Sequence, residues 1–480
     1  MKVLYLPLDS RPCNAVFPVQ MARWAGAECM VPPPEVMDYF TTPADWSGVR
    51  GFLEGRFAEA DALVVSVDQL CFGGLLASRE EAVALPEALS RLELLEKLHR
   101  AHPEKPIHAF SVIIRSTIST LRLSDLEVYR AVTAYSEYSD RYAVMHQEAD
   151  RQRLEEAEKK IPPERLKQVM DIRRRNHRVN LRCLEWRKEG VLSSLSLLME
   201  DSQPYGFHRR EQRILMMRME GTRDTFLHNG TDEGGCVSMA KAIFREELPL
   251  QVRWLGRDDG KFIAKFEDRP FIQNVRDNMI YLGLRSAEEA DRVLVITVPP
   301  EGQQGDCHDG AEDVCPEEIL LAMAEEVNRL IAAGKQVYLL DELCANGGSP
   351  KLLSAVNAEG LAGYAAWNSA TNAMGTILAQ IVTDALAGKP NLRFRNERFM
   401  DDMLYESIIR GEMDRDLRAA GEDPYCLSDK APVEKRVNEI YRRLGEDPAF
   451  AGVFRAIRQG GEGRMTLPWP RTFECQAHNE

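Results

Sequence analysis

Short apolar runs that end on a charged or amide residue recur along this chain, with helical stretches between them. Residues 3–8 run into Asp9, 62–67 into Asp68, 107–114 into Arg115, 195–199 into Glu200 and Asp201, and 336–340 into Asp341. Runs without polar alternation are strands covered on both faces, and strands alternating with helices imply a mostly parallel sheet with right-handed crossovers. Further strands are expected at 28–31, through Phe226 and Leu227, and at 251–255, 292–298 and 363–367, about ten in all. The fold class expected is therefore α/β with a (β/α)8-barrel-like architecture, or alternatively two doubly wound lobes. Either topology gathers the polar residues at the carboxyl ends of the strands, where such folds bind ligands.

Two helical regions stand outside this alternation. Residues 123–190 are charged, long and broken at Ile161-Pro-Pro163, more than one crossover needs, and read as an inserted lid or dimer arm. The second begins near Leu392 and closes on an aromatic, proline-rich tail that docks back on the body. The domains expected are thus an α/β catalytic body over 1–390 and a helical extension over 391–480.

At 480 residues, 44% hydrophobic and 28% charged, the composition is that of an ordinary soluble enzyme. A formal charge of −14 argues against nucleic acid, and the basic run Arg173 to Arg175 with Arg178 and Arg182 reads as a solvated or internally paired helix face. The chain has no 18-residue apolar span and no signal-peptide pattern, so no membrane is expected and the cytoplasm is the default. The ten cysteines form no disulfide-like framework. Cys307-His308 with Cys315 comes nearest to a metal cluster but lacks a fourth ligand, so no metal is expected. No strand is followed by a Gly-x-Gly-x-x-Gly or Walker-type loop, so no nucleotide cofactor is expected.

The densest chemistry lies in Thr225-Phe-Leu-His-Asn-Gly-Thr-Asp-Glu-Gly-Gly235. Asp232 and Glu233 sit in a glycine-flanked turn between strand and helix. Two carboxyls in one pocket push their pKa values apart, leaving one as proton donor and one ionised. The plainer reading is a helix first turn, where acids favour the dipole. Glu200-Asp201 is a second such pair, ahead of Tyr205. Asp341 leads through Asn346 to two glycines, and Trp367 with Asn368 and Asn372 flanks a turn into a helix, as a sugar platform or as core and cap.

Several of these stretches together resemble the bacterial DUF4127 family, a family defined without a function. They are Leu6-Pro-Leu-Asp-Ser-Arg-Pro-Cys-Asn14, Ser66-Val-Asp68 with Gly73-Gly74 and Ala77-Ser-Arg79, Glu200-Asp201 through Pro204-Tyr-Gly206, Gly230-Thr-Asp-Glu233, Asn346-Gly-Gly348 and Trp367-Asn-Ser with Asn372. The likeness spans almost the whole chain; Ser10, Glu200, Ala366 and Ser369 depart from the pattern. Locally, His228-Asn-Gly-Thr-Asp-Glu233 is similar to the His-x-Gly-x-Asp-Glu signature of family 20 β-N-acetylhexosaminidases. That resemblance implies Glu233 as general acid/base and Asp232 as orienter of a substrate acetamido group.

The function expected is a glycoside hydrolase acting on an amino sugar or short saccharide. Glu233, Asp232 and Asp201 are the catalytic candidates. Asp9, Arg11, Asp68, Arg115, Glu200, Tyr205, Asp341, Asn346, Trp367, Asn368 and Asn372 are the substrate-binding candidates. The alternatives are a metal-dependent amidase or deacetylase using Asp9, Asp68, Asp201 and Asp232, and a non-catalytic sugar-binding protein. The partner expected is a small carbohydrate, and a homo-oligomer is left open.

Overall fold

The structure is a computed structural model that describes residues 1–117, 119, 121–257, 260–307 and 315–480, with only the backbone of residue 123. The chain divides into two compact units: residues 1–243 with 266–268, and residues 244–265 with 269–480. The units thus divide at 243/244, whereas the sequence placed a domain boundary at 390/391.

The first unit is built on six parallel strands: β1 (Lys2–Leu6), β2 (Glu28–Met30), β3 (Ala62–Ser66), β4 (Ile107–Ile113), β5 (Ser194–Met199) and β6 (Thr225–Asn229). Their order is β2-β1-β3-β4-β5-β6. Because side chains alternate across a strand, Val3 and Tyr5 join the core under the helices Phe17–Trp24 and Gly234–Ile243. Leu4 and Leu6 join the opposite core with Leu53, Leu95 and Trp186. Each fully buried aliphatic side chain in these layers stabilises the fold by about 1.5–3 kcal/mol.

The second unit carries β7 (Leu248–Leu255), β8 (Leu284–Ser286), β9 (Arg292–Thr297), β10 (Gly305–Asp306), β11 (Gln336–Asp341), β12 (Cys344–Ala345) and β13 (Leu361–Ala365). Its main sheet is parallel and ordered β13-β11-β9-β7-β8, while β10 and β12 pair separately. The C-terminal helices pack into this unit's core, Phe399, Met403 and Ile440 lying in one cluster with Val337 and Leu339. A final hairpin joins β14 (Gly463–Thr466) to β15 (Gln476–Asn479).

The barrel does not form, and the doubly wound alternative holds. A (β/α)8 barrel adds each strand on the same side of the last. Here the chain lays β2 on one side of β1 and β3 on the other, then repeats the reversal with β8 and β9 about β7. Each reversal leaves an open sheet and a crevice at the carboxyl ends of the two strands flanking it. The two units share this winding, a repetition that leaves no repeat in the residues.

The helical region between β4 and β5 contains Leu126–Met145, Glu148–Glu158 and Pro163–Glu189. The last is the crossover helix, packed on β4 and β5, and the first two form a pair beyond it. The basic run is internally paired: Arg173 to Glu211, Arg174 to Asp171 and Arg182 to Glu185. Among the described residues no helix is long and apolar enough to cross a membrane.

Gly234 opens the helix after β6, where a Cβ would meet the Leu198 side chain and lie 3.1 Å from Phe110. Alanine gains about 1 kcal/mol of helix propensity, but overpacking a filled core costs about 1–3 kcal/mol. Gly234→Ala is therefore expected to lower the thermal midpoint; a higher midpoint would mean this core has slack.

Candidate functional site

The exits of β1 and β6 meet through one guanidinium. After β1 the chain turns on Asp9, whose carboxylate accepts the Arg11 backbone N–H at 3.1 Å, a local turn that Asp favours. Arg11 then points back. Its Nε and Nη2 donate to Asp9 at 3.0 and 2.7 Å, and its Nη1 and Nη2 donate to Asp232 at 3.2 and 2.5 Å. Asn14 Nδ2 donates to the same two carboxylates, at 2.9 and 3.2 Å. All four side chains are buried. Burial pushes Asp232 upward and Asp9 adds to the shift, while Arg11 opposes it.

Asp38, also buried, extends this cluster. It accepts from Gln69 Nε2 at 3.2 Å, and its carboxyl is pushed well above the usual range by burial and by Asp9.

Glu233 stands beside the Asp9–Arg11–Asp232 bridge and differs from it. It is wholly buried, and among the described residues neither carboxyl oxygen accepts a hydrogen bond of good geometry, the N–H groups of 231 and 233 lying near it. Burial drives its pKa well above the carboxylate range, with Asp232 and Glu267 adding to the shift and the backbone of residues 231 and 233 opposing it. These surroundings favour the protonated form of the acid. Its carboxyl folds against Gly230, where a Cβ would lie 2.6 Å from the carboxyl carbon and displace the acid, and the φ of 96° there favours glycine. His228 Nδ1 lies 3.6 Å from Glu233 and 2.7 Å from the Asn229 carbonyl, which fixes that nitrogen as the protonated one.

The β4 and β5 exits form a second cluster. Glu200 accepts from the Arg115 backbone and Nε, both at 3.1 Å, and from Arg79 Nη2. Arg115 Nη1 reaches Asp201 at 3.1 Å. Burial alone would raise Glu200, but Arg79 and Arg115 outweigh it and hold it down. Asp201 is pushed up by its desolvated surroundings and by Glu200, against Arg115. The environment thus pushes the pKa values of this pair apart, Glu200 down and Asp201 up. Asp201 also adopts the left-handed region, φ 37°, a conformation that non-glycine residues hold only under constraint.

The remaining expected residues separate by location. Asp68 accepts the Val112 backbone N–H at 2.8 Å and is raised to about 7, chiefly by burial. Tyr205 lies under Arg141 of the helical insertion, 5.6 Å from ring centre to guanidinium. Asp341, Asn346, Trp367, Asn368 and Asn372 belong to the second unit. There Asp341 accepts from the Ser349 backbone at 2.7 Å and from Thr297 and Tyr364, so it braces its own loop. Asn346 donates to Asp306 at 3.1 Å, Lys265 pairs with that acid at 2.8 Å, and the Asn346 N–H reaches the Asn368 carbonyl at 2.9 Å. Trp367 is buried, and Ser369, not Asn368, occupies the helix N-cap.

The metal reading of Asp9, Asp68, Asp201 and Asp232 does not assemble. Arg11 fills the space between Asp9 and Asp232, Asp68 is tied to β4, and Asp201 to Arg115. Among the described residues no three His, Cys, Asp or Glu side chains are placed to hold an ion. His308, which with Cys307 and Cys315 was the nearest approach to a cluster, lies outside the described residues.

A family model described as a protein of unknown function, DUF4127, matches residues 3–478. The chain belongs to the DUF4127 family. Comparison with curated proteins and with solved structures gave no match. In this family member the sequence left Asn14, Asp38, Gln69, Arg79 and Glu267 off the candidate list. Asn14 and Arg79 fall inside motifs that already pointed here. Asp38 and Glu267 sit in irregular stretches with no strand before them, and only the fold brings them in.

Replacing Arg11 by methionine leaves two buried carboxylates facing each other, a loss of about 3–5 kcal/mol at neutral pH. Without the cation the two buried carboxylates repel each other, and protonating one of them at acid pH relieves the loss, so the variant's stability falls as pH rises. Thermal midpoints of wild type and Arg11→Met between pH 4.5 and 8 are expected to converge on the acid side. A pH-independent deficit would mean the loss is one of packing alone.

Proposed function

We propose that the first unit is a glycoside hydrolase acting on an amino sugar or a short saccharide, with Glu233 as the general acid. The observation that carries this reading is Glu233 itself, a wholly buried carboxyl at a sheet's carboxyl edge without a hydrogen bond of good geometry among the described residues. Leaving such a group unsatisfied costs about 1–3 kcal/mol, and a retained cost of that kind calls for a functional explanation. A protonated acid held near neutral pH is what cleavage of a glycosidic bond requires for the leaving oxygen.

In this reading Asp232, fixed by Arg11 and Asn14, stands ionised against the positive charge that develops at the anomeric carbon. Its oxygens have lone pairs beyond those that Arg11 and Asn14 use, so it can also accept from a substrate N–H, the role that the hexosaminidase-like motif implies. Asp201, about a third of whose side chain is exposed, binds hydroxyls or assists water. The burial of Glu233 requires its loop or the neighbouring 266–268 segment to move when substrate binds. No cofactor enters this scheme, and a cytoplasmic location agrees with ten cysteines that form no disulfide among the described residues.

The test is hydrolysis of a panel of 4-nitrophenyl glycosides, including the N-acetylglucosaminide and N-acetylgalactosaminide, with and without EDTA. Glu233→Gln is expected to lower kcat by about 10²–10⁴-fold, while wild-type release persists in EDTA. Silence on every sugar, or loss of activity with chelator, would turn the assignment toward a metal-dependent amidase or a binding protein.

Stability gives an independent check. A carboxyl whose folded pKa lies above its unfolded value, near 4.3, loses stabilising free energy as pH rises. Glu233→Gln is therefore expected to melt higher than wild type at pH 7–8, with the gap closing below pH 5. A variant that melts lower at pH 8 would mean Glu233 is ionised and partnered.

A further inference from the structure

A cavity of about 20 Å³ in the first unit lies against the Glu200–Asp201 cluster, walled by the loop after β4 and by the Pro163–Glu189 helix. Arg79, Arg115, Arg165 and Arg173 line it, with Glu80 as the one acid among the described lining residues. Ser119 adds a hydroxyl and bonds Arg79 Nη1 at 3.1 Å. A volume of this size holds about one water, and the cavity opens beyond it toward solvent.

The donors around it are not used up. Arg79 is 8% exposed, and its Nε has no partner. Arg79 and Arg115 share the carboxylate of Glu200, and Arg115 also reaches Asp201. Arg165 makes its hydrogen bond to the neutral Gln168. Only Arg173 is fully engaged, by Glu211 and by the carbonyls of residues 114 and 115.

We infer that this cavity is an oxyanion site that receives the carboxylate or phosphate substituent of an acidic saccharide. Planar guanidinium forks match both groups in bidentate geometry, and the Ser119 hydroxyl supplies a further donor. The word saccharide rests on the hydrolase reading above; the anion rests on the cavity alone. Burial raises the pKa values of Glu80, Asp201 and Glu211, against the arginines that face them. Burial together with Arg115 brings Arg79 down to about 10, against Glu200 and Asp201. The site also gives the inserted helical segment a task, since its last helix supplies Arg165 and Arg173.

Binding to the full chain tests this without turnover. Inorganic phosphate, D-glucuronate and neutral D-glucose are titrated by calorimetry and thermal shift into wild type, Arg165→Gln and Glu233→Gln. The expected result is saturable binding of glucuronate or phosphate and none of glucose. Arg165→Gln, at the half-exposed rim, is expected to fold normally and to bind the anion about tenfold more weakly or worse.

The stronger of the two anions identifies the substituent, and Glu233→Gln is expected to bind it as wild type does. No saturable binding of either anion, or equal binding by Arg165→Gln, would overturn the site. Anion binding by a protein that cleaves no glycoside would leave the site standing and remove the hydrolase reading. Cleavage with equal preference for 4-nitrophenyl glucoside and glucuronide, and no anion binding, would do the reverse.

Discussion

The first unit's site depends on the Arg11 guanidinium held between Asp9 and Asp232. These carboxylates come from opposite ends of the unit's sequence, 221 residues separating Arg11 from Asp232. What brings them together is the helix after β6, which runs back across β3, β4 and β5 to pack on the Phe17–Trp24 helix. Its first residues therefore arrive at the β1 exit. Gly234 and Gly235 permit that approach, the second because a Cβ there would strike the Tyr5 hydroxyl that holds the Asn14 carbonyl at 2.7 Å. Backbone sterics, core packing and the charge cluster are thus one constraint. A buried pair of like charges with one cation between them is stable only while the cation stays.

With that bridge formed, the nearby acids are sorted by their partners. Asp232 and Glu200 each have guanidinium contacts, whereas Glu233 has none and Asp201 has one at a partly exposed position. Burial penalises every one of them, so the placement of each arginine decides which acid stays charged. Sorting acids by environment lets a single edge of a sheet offer both a proton donor and a fixed negative charge.

Much of this was legible in the residues. Asp9, Asp201 and Asp232 stood out because apolar strands end next to them, and β1, β3, β4 and β5 lie close to where continuous apolar runs placed them. The winding was not legible, because a barrel and a doubly wound sheet share the same alternation of strand and helix. The reversal at β1 and β7 depends on which side a crossover falls, and no residue pattern records it. β8 was missed because Arg285 and Ser286 are exposed on an edge strand and carry no apolar signal. The split of the expected site residues between two units was equally hidden, since strand exits look alike in either unit.

The π-helix at Phe399–Ile409 is a further case. The sequence reads here as part of a charged helical region, and Arg398 with Asp402 and Glu406 with Arg410 pair in the second unit's interior. The Asp402 carboxylate accepts the Ala366 N–H and its carbonyl the Gly348 N–H, both at 2.9 Å. It thereby fixes the exits of β13 and β11. Unusual windings of this kind concentrate where a local geometry has to be held.

The central claim is that Glu233 is a protonated acid at neutral pH, and infrared difference spectroscopy reads that state directly. The spectrum of wild type minus Glu233→Gln at pH 7 is predicted to contain the C=O stretch of a protonated carboxyl. A difference confined to ionised carboxylate bands would contradict the account and remove Glu233 as the proton donor.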